Sequence, residues 1–462
     1  MSWTVFRWVV FWGVIGQAYG QGIHSGHDHE MPKDTNTLNH FFEKGRFYGH
    51  ARSYFAATVN DGPLSNAYAQ GIGAGIGYET PIFLRHFQVG MSGFFMFNLF
   101  SSDLGAPDPI TGQGNRYEVG LFDIQEPNDH EDLDRLEELF FKVHLPYKTL
   151  VTVGRQIPKM PFINPQDGRM RPTLVEALVV ENSVWEGIAL HGSYIWRISP
   201  RSTVEWFGIG ESIGIYPSGV LPNGTPVSFH ETLESKGIWQ LGIQGSRGPW
   251  RFQAWDTFVE NILHTQMGKL EWIQPNWVVG GQFVAQRPVG HGGAEGVGNR
   301  YIEDNDRPWV VSGRIGYRSA QWDANLNATH IGGQGRYLMP REWGREPFYT
   351  FMARERNEGL GNVTAVSTNL FFKPEKHIRL EVSTGYYQTP DVKDFARNKY
   401  GLPSYVQTNV GFTYQFDHFL KGLSLQTLIV RKDRVGETYE NPRFVFNKVN
   451  MTHLNFILNY HY

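Results

Sequence analysis

The chain ends Met451-Thr452-His453-Leu454-Asn455-Phe456-Ile457-Leu458-Asn459-Tyr460-His461-Tyr462, and the reading of this stretch decides the fold. Leu454, Phe456, Leu458, Tyr460 and Tyr462 share one parity, while His453, Asn455, Asn459 and His461 share the other. Successive side chains of a strand point to opposite faces, so the spacing builds a strand with one apolar and one polar face. A soluble sandwich shows the same alternation. A last strand that is apolar outward, polar inward and aromatic at its final residue fits the closing strand of a membrane barrel better.

Working back from the end, the pattern recurs. Trp309, Val311, Ile315 and Tyr317 oppose Ser312, Arg314, Gly316 and Arg318. Ile378, Leu380, Val382 and Tyr386 oppose Arg379, Glu381 and Ser383, and Val410, Phe412, Tyr414 and Phe416 oppose Gly411, Thr413 and Gln415. An Arg or Lys facing lipid costs about 2–4 kcal/mol at the midplane, so the polar face is the lumen. Short connections at 146–149, 247–249, 274–276, 319–321 and 373–376 read as periplasmic turns. Long polar ones at 100–135, 156–178, 197–236, 287–308, 330–362, 389–405 and 433–449 read as extracellular loops. From a first strand near Gly45 to Val59, the alternation of loop and turn gives about eighteen strands, an all-β transmembrane antiparallel barrel.

Composition agrees. Aromatic residues make up 15% of the chain, there are 52 glycines, and mean hydropathy is -0.37. Beyond the first twenty residues no apolar run approaches the ~18 residues of a membrane helix, and in lipid the remaining option is a closed barrel. Arg7, the apolar Trp8 to Gly16 and the small-x-small Ala18-Tyr19-Gly20 read as a secretory signal. The expected organisation is a signal peptide at 1–20, a polar His-containing segment at 21–44 and a barrel at 45–462, in the outer membrane of a Gram-negative cell. The absence of cysteine excludes disulfides and thiol chemistry, and a net charge of -3 excludes the basic footprint of a nucleic-acid binder.

Several phrases resemble the OprD-type outer-membrane porins. They include Gly45-Arg46-Phe47, the run Gly75 to Thr80, Asn115-Arg116-Tyr117-Glu118 with Gly120-Leu121-Phe122-Asp123, the run Phe162 to Pro172, and the run Gly335 to Arg345. The resemblance spreads over nearly the whole mature chain. It implies an eighteen-stranded substrate-selective channel whose third loop folds inward to constrict the pore, with arginines along one wall guiding small solutes that bear carboxylates, amino acids among them.

Site residues are then assigned from position and chemistry. The loop after the fifth strand carries four prolines with Asp167, Arg169 and Arg171. Fixed charge at a narrow point selects permeants; the plainer alternative is that these residues pin the loop to the wall. Arg46, Arg52, Arg314, Arg318 and Arg379 fall on the lumen parity and are expected to form a basic track, each of them alternatively a salt-bridged wall residue. The balanced charges of 336–358 favour an ion-pair network over a binding patch. The acidic stretch from Asp123 to Glu138 lacks calcium-loop spacing and reads as a solvated loop. His24, His27 and His29 could hold a metal, but a polar tail is favoured.

Gly71, Gly73, Gly75 and Gly77 alternate along a strand and fail the context test for a nucleotide loop. No cofactor, catalytic group or metal ligand is assigned. A barrel enzyme of protease or lipase type and a non-transporting display barrel remain the rival readings. Expected partners are outer-membrane lipids and lipopolysaccharide, the barrel-assembly machinery and a small permeant, with monomer and homotrimer both open.

Overall fold

The computed structural model describes residues 43–131, 133–166 and 168–462; the expected signal peptide, most of the 21–44 segment, its His24, His27 and His29, and Asp167 lie outside the described residues. The strands are β1 (Arg46–Asn60), β2 (Ala67–Glu79), β3 (Phe87–Ser101), β4 (Leu133–Leu145), β5 (Thr149–Gln156) and β6 (Leu174–Asn182). Then come β7 (Ile188–Ser199), β8 (Phe207–Gly208), β9 (Ile238–Arg247), β10 (Trp250–Val259), β11 (Leu263–Ile273), β12 (Trp277–Pro288) and β13 (Trp309–Arg318). The series ends with β14 (Trp322–Ile331), β15 (Val363–Phe372), β16 (Ile378–Gln388), β17 (Tyr405–Gln415), β18 (Leu423–Arg434) and β19 (Met451–His461).

Each barrel strand pairs antiparallel with its neighbour in the chain, β7 passes directly to β9, and β1 closes on β19. The two-residue β8 is an extra piece laid on the upper end of β7. The barrel therefore has the eighteen strands expected from the alternation. On one rim stand the loops L1 (61–66), L2 (102–132), L3 (157–173), L4 (200–237), L5 (260–262), L6 (289–308), L7 (332–362), L8 (389–404) and L9 (435–450). The other rim carries the short turns and both ends of the barrel. One boundary needs correction: the sequence ran the third loop to Leu178, whereas β6 begins at Leu174. A register shift at Glu176/Ala177 breaks the alternation there and hides the strand start.

The closing strand behaves as its parity demands. Phe456 and Tyr460 are exposed on the outer wall, while His453, Asn455 and Asn459 are buried inside. Aromatic pairs mark the outer surface near each rim, Trp277 against Tyr317 and Trp322 against Phe372 at the turns, Tyr194 against Trp239 at the loops. The seam is completed by Tyr462, whose backbone exchanges hydrogen bonds with Gly49 at 3.1 and 3.2 Å. A Cβ at Gly49 would lie 1.9 Å from the Tyr462 ring. Gly49→Val is accordingly expected to lower barrel stability by about 1–3 kcal/mol. A lowered temperature for loss of the compact gel form would register this, and an unchanged transition would refute it.

The apolar core sits inside the barrel, at its loop end. Phe162 and Ile163 of L3, Ile209, Ile213 and Phe229 of L4, and Leu338, Trp343 and Phe348 of L7 pack on inward residues such as Val259, Met267 and Val310. Loops that carry this much buried apolar surface fold into the lumen, because the hydrophobic gain is lost if they stand out in water.

Candidate functional site

The glycine row on β2 prepares the wall for these loops. Gly71, Gly73, Gly75 and Gly77 share the lumen-facing parity; Phe94 lies over Gly73 and Gly75, and Tyr48 over Gly77. Phe122 of L2 and Met170 of L3 close on Gly71, each 3.1 Å from where its Cβ would stand. Side chains along this strand would push L2 and L3 off the wall. The row was visible in the sequence, but its use was not.

L3 crosses the lumen between the β1/β19 seam and L7. Asn164 donates to the Arg345 carbonyl at 3.0 Å, and Arg356 Nη2 donates to Gln166 Oε1 at 3.1 Å. From the wall, Arg52 donates to the Arg169 carbonyl at 2.6 Å and to Asn459 at 2.6 Å. A group of guanidiniums gathers here: Arg169 from L3, Arg201 from L4, and Arg354 and Arg356 from L7. Their hydrogen bonds go to neutral groups. Arg169 reaches the Gly168 carbonyl, Arg201 the Arg341 carbonyl at 2.8 Å, Arg354 the Tyr54 hydroxyl at 2.9 Å and Asn455 at 2.7 Å, and Arg356 the Gly344 carbonyl at 3.1 Å.

Among the described residues, none of the four makes an ion pair. Burial, with repulsion from Arg354 and Arg356, pushes Arg169 down to about 10, and burial pushes Arg201 down to about 9; both stay charged at neutral pH. Arg354 holds φ at 72°, a left-handed conformation that a non-glycine residue keeps only where its surroundings enforce it.

The predicted site residues fall into different situations. Arg169 is in this group. Arg171 is two residues away but is clamped: its guanidinium pairs with Glu137 through Nε at 2.6 Å and through Nη2, and stacks 3.8 Å over the Phe94 ring. It anchors the loop, the plainer of its two readings. The five wall arginines all point inward but do not form one row, standing on β1, β13 and β16. Arg52 belongs to the constriction, Arg46 lies 3.6 Å from Glu79, and Arg318 pairs with Asp323 at 3.0 Å. Arg314 donates to Asn327 at 2.8 Å, and Arg379 lies 4.3 Å over Phe371.

Arg201, Arg354 and Arg356 were not assigned from sequence, since only the folding-in of L4 and L7 brings them to L3. The acidic stretch is likewise corrected. It is no solvated loop throughout, since β4 starts at Leu133 and buries Glu137 and Glu138 against Arg135, Arg171, Tyr48 and Ser92.

The ion pairing expected among the charges of L7 centres on Glu358, and it extends to L8. This buried carboxylate takes Lys399 of L8 at 3.0 Å, the Tyr400 hydroxyl at 2.7 Å and Arg341 at 3.7 Å. Tyr216, Phe229 and Tyr301 surround the knot, leaving a cavity of about 10 Å³, the size of one water. Burial by itself would raise the Glu358 carboxyl, but Lys399 and Arg341 outweigh it and hold the group below the ordinary carboxylate range. A depressed folded value means stabilisation that is complete above the unfolded value, about 4.3, and is lost as pH falls through the lower folded value. Opening of L7 and L8, read by hydrogen exchange corrected for intrinsic rates, is expected to rise about tenfold on acidification below that value. In Glu358→Gln the loops should already be loose at neutral pH, so equal protection in variant and parent would refute the assignment.

One hydroxyl, imidazole and carboxylate do converge: Thr58 Oγ1 lies 2.8 Å from His453 Nδ1 and 2.5 Å from Glu118. Glu118 lies 3.5 Å from that same nitrogen, Asn455 occupies Nε2 at 2.9 Å, and all are buried. Base and orienting group need different ring nitrogens, so the arrangement is a wall staple and gives the enzyme reading no support. No group of metal-ligating side chains stands together among the described residues.

No protein-family model matches this chain, and no curated protein does. Solved structures do. Pseudomonas aeruginosa OpdK, crystallised with vanillate, superposes with a TM-score of 0.67 at 14% identity, over 91% of this chain and 99% of OpdK. Acinetobacter baumannii OccAB3 gives 0.70 at 14% identity over the same shares. The chain has the OpdK and Occ barrel fold. P. aeruginosa OccK8 (OprE) agrees, at 0.70 and 13% identity, and OpdK is an outer membrane protein. The shared fold covers 91% of this chain.

Proposed function

We propose that this chain is an outer-membrane diffusion channel selective for small carboxylate-bearing solutes, amino acids among them. The observation that carries the reading is the group Arg169, Arg201, Arg354 and Arg356, whose charge no ion pair cancels among the described residues. It lies where three inward loops meet the barrel wall. Guanidinium forks match carboxylates, and fixed positive charge between low-dielectric walls concentrates anions. The likeness to OpdK, crystallised with the aromatic carboxylate vanillate, supports the substrate class. Outer-leaflet lipopolysaccharide and the barrel-assembly machinery, reading the closing strand, are its proposed partners.

Reconstitution in liposomes tests the proposal. Folded protein should admit benzoate-sized carboxylates faster than neutral solutes of equal size. Swelling no faster than in empty liposomes, or equal rates for the two solute classes, would overturn it.

A further inference from the structure

The outer wall of the barrel is not symmetric between its two rims. Among the described residues, charged side chains on the lipid-facing parity of the strands stand at the loop rim: Asp134 on β4, opposite the exposed Phe95, and three groups. Arg155 and Arg197 flanking Glu176 are one, Arg431 with Asp61 another, and Asp256 with His264 and Arg287 the third. At the turn rim only Arg247, the last residue of β9, has this parity and charge. Charge facing lipid is expensive at the midplane and cheap at the interface, so these groups mark the level of the headgroups of the leaflet on the loop side.

The third group is built as a receptor. Asp256 on β10, His264 on β11 and Arg287 on β12 lie side by side across three strands. His264 Nδ1 accepts from Arg287 Nε at 3.0 Å, so the ring proton is on Nε2, which donates to Asp256 at 2.8–2.9 Å. Gln266 holds the same carboxylate at 2.9 Å. The chain of bonds fixes the guanidinium, and its two terminal nitrogens have no partner among the described residues. Four residues down β12 on the same face, Phe283 is exposed to the lipid side, so whatever meets Arg287 has an apolar body beneath a polar head.

We infer that Arg287, positioned by His264 and Asp256, binds a phosphate of a glycolipid headgroup in the outer leaflet. The inference rests on the outer-membrane placement proposed above. A planar guanidinium with a free two-nitrogen edge matches phosphate oxygens bidentately, and the exposed apolar wall beneath takes the acyl chains. Free inorganic phosphate shares the head chemistry but has nothing to place on that wall.

The test uses the full chain in detergent, with bisphosphorylated lipid A, the same lipid stripped of phosphate, phosphatidylglycerol and inorganic phosphate as probes, read by native mass spectrometry. Bisphosphorylated lipid A should bind the parent about tenfold more tightly than Arg287→Gln, the loss expected for one charge-assisted hydrogen-bonded contact. Arg247→Gln at the opposite rim should match the parent. Stripping the phosphates should reduce binding to the parent to the level of Arg287→Gln, an arm that needs no variant to fold.

Equal binding by Arg287→Gln and parent would overturn the inference, as would inorganic phosphate or phosphatidylglycerol occupying the parent as well as lipid A does. Bilayer conductance separates this result from the channel reading. A parent that binds lipid A but passes no current sinks the channel and leaves the lipid site standing; a conducting parent with unchanged lipid binding in Arg287→Gln does the reverse.

Discussion

Replacing Arg169, Arg354 and Arg356 together by Ala is expected to lower the anion preference of the pore at least about tenfold at low ionic strength. The three guanidiniums meet from L3 and L7 and donate to carbonyl and side-chain oxygens that carry no net charge. Among the described residues no carboxylate is in ion-pair contact with them, so their field reaches into the lumen. Removing them should leave the loop core of Ile163, Leu338 and Trp343 in place, because among the described residues none of the three makes an ion pair that its loss would orphan.

Arg171→Ala is the contrasting variant. It strips Glu137 of one of its two arginines, so it should loosen L3 while changing ion preference far less. Reversal potentials in asymmetric salt measure both. The difference between triple variant and parent should shrink as salt rises and the screening length falls to about 10 Å at 0.1 M. A triple variant with the parent's reversal potential, or an Arg171→Ala variant with the larger change, would move the selectivity elsewhere.

The second large effect concerns assembly. Phe456 is exposed at the middle of the outer face of β19, and Leu458 follows it on the same face. Phe456→Arg with Leu458→Arg places two charges against lipid on the strand that closes the barrel. At mid-membrane the first costs about 2–4 kcal/mol, and the second adds a smaller amount nearer the rim. With whole-domain stability of about 5–15 kcal/mol, membrane-inserted protein should fall to a small fraction of the parent's level. Asn455→Gln, on the opposite parity, puts no charge in lipid and should insert. Heat-modifiable protein in the membrane fraction reads the outcome, and parental levels of the double variant would show that this face does not meet lipid.

Residue order alone determined the barrel. Alternation at period two is a local property, and a charged residue cannot face lipid cheaply, so His453, Asn455 and Asn459 against Phe456 and Tyr460 fixed the strand type and its inward side. The same logic, repeated with short and long connections, gave eighteen strands. It missed where local pattern breaks, as at the Glu176/Ala177 register shift that moved the start of β6 to Leu174.

The constriction was legible in part. A proline-rich third loop bearing Arg169 could be singled out, but its neighbours could not. Arg201 stands 32 positions further along the chain and Arg354 and Arg356 still further, and they reach Arg169 only because buried apolar residues draw L4 and L7 into the lumen. Whether an arginine carries free charge or is spent on an ion pair was likewise undecidable from order. Arg171 and Arg169 are two residues apart, yet one meets Glu137 on β4 and the other, among the described residues, donates only to a neutral carbonyl. Ion pairing depends on which side chains the closed barrel sets opposite one another, across distances in sequence over which no periodicity carries information. The tertiary structure made that decision.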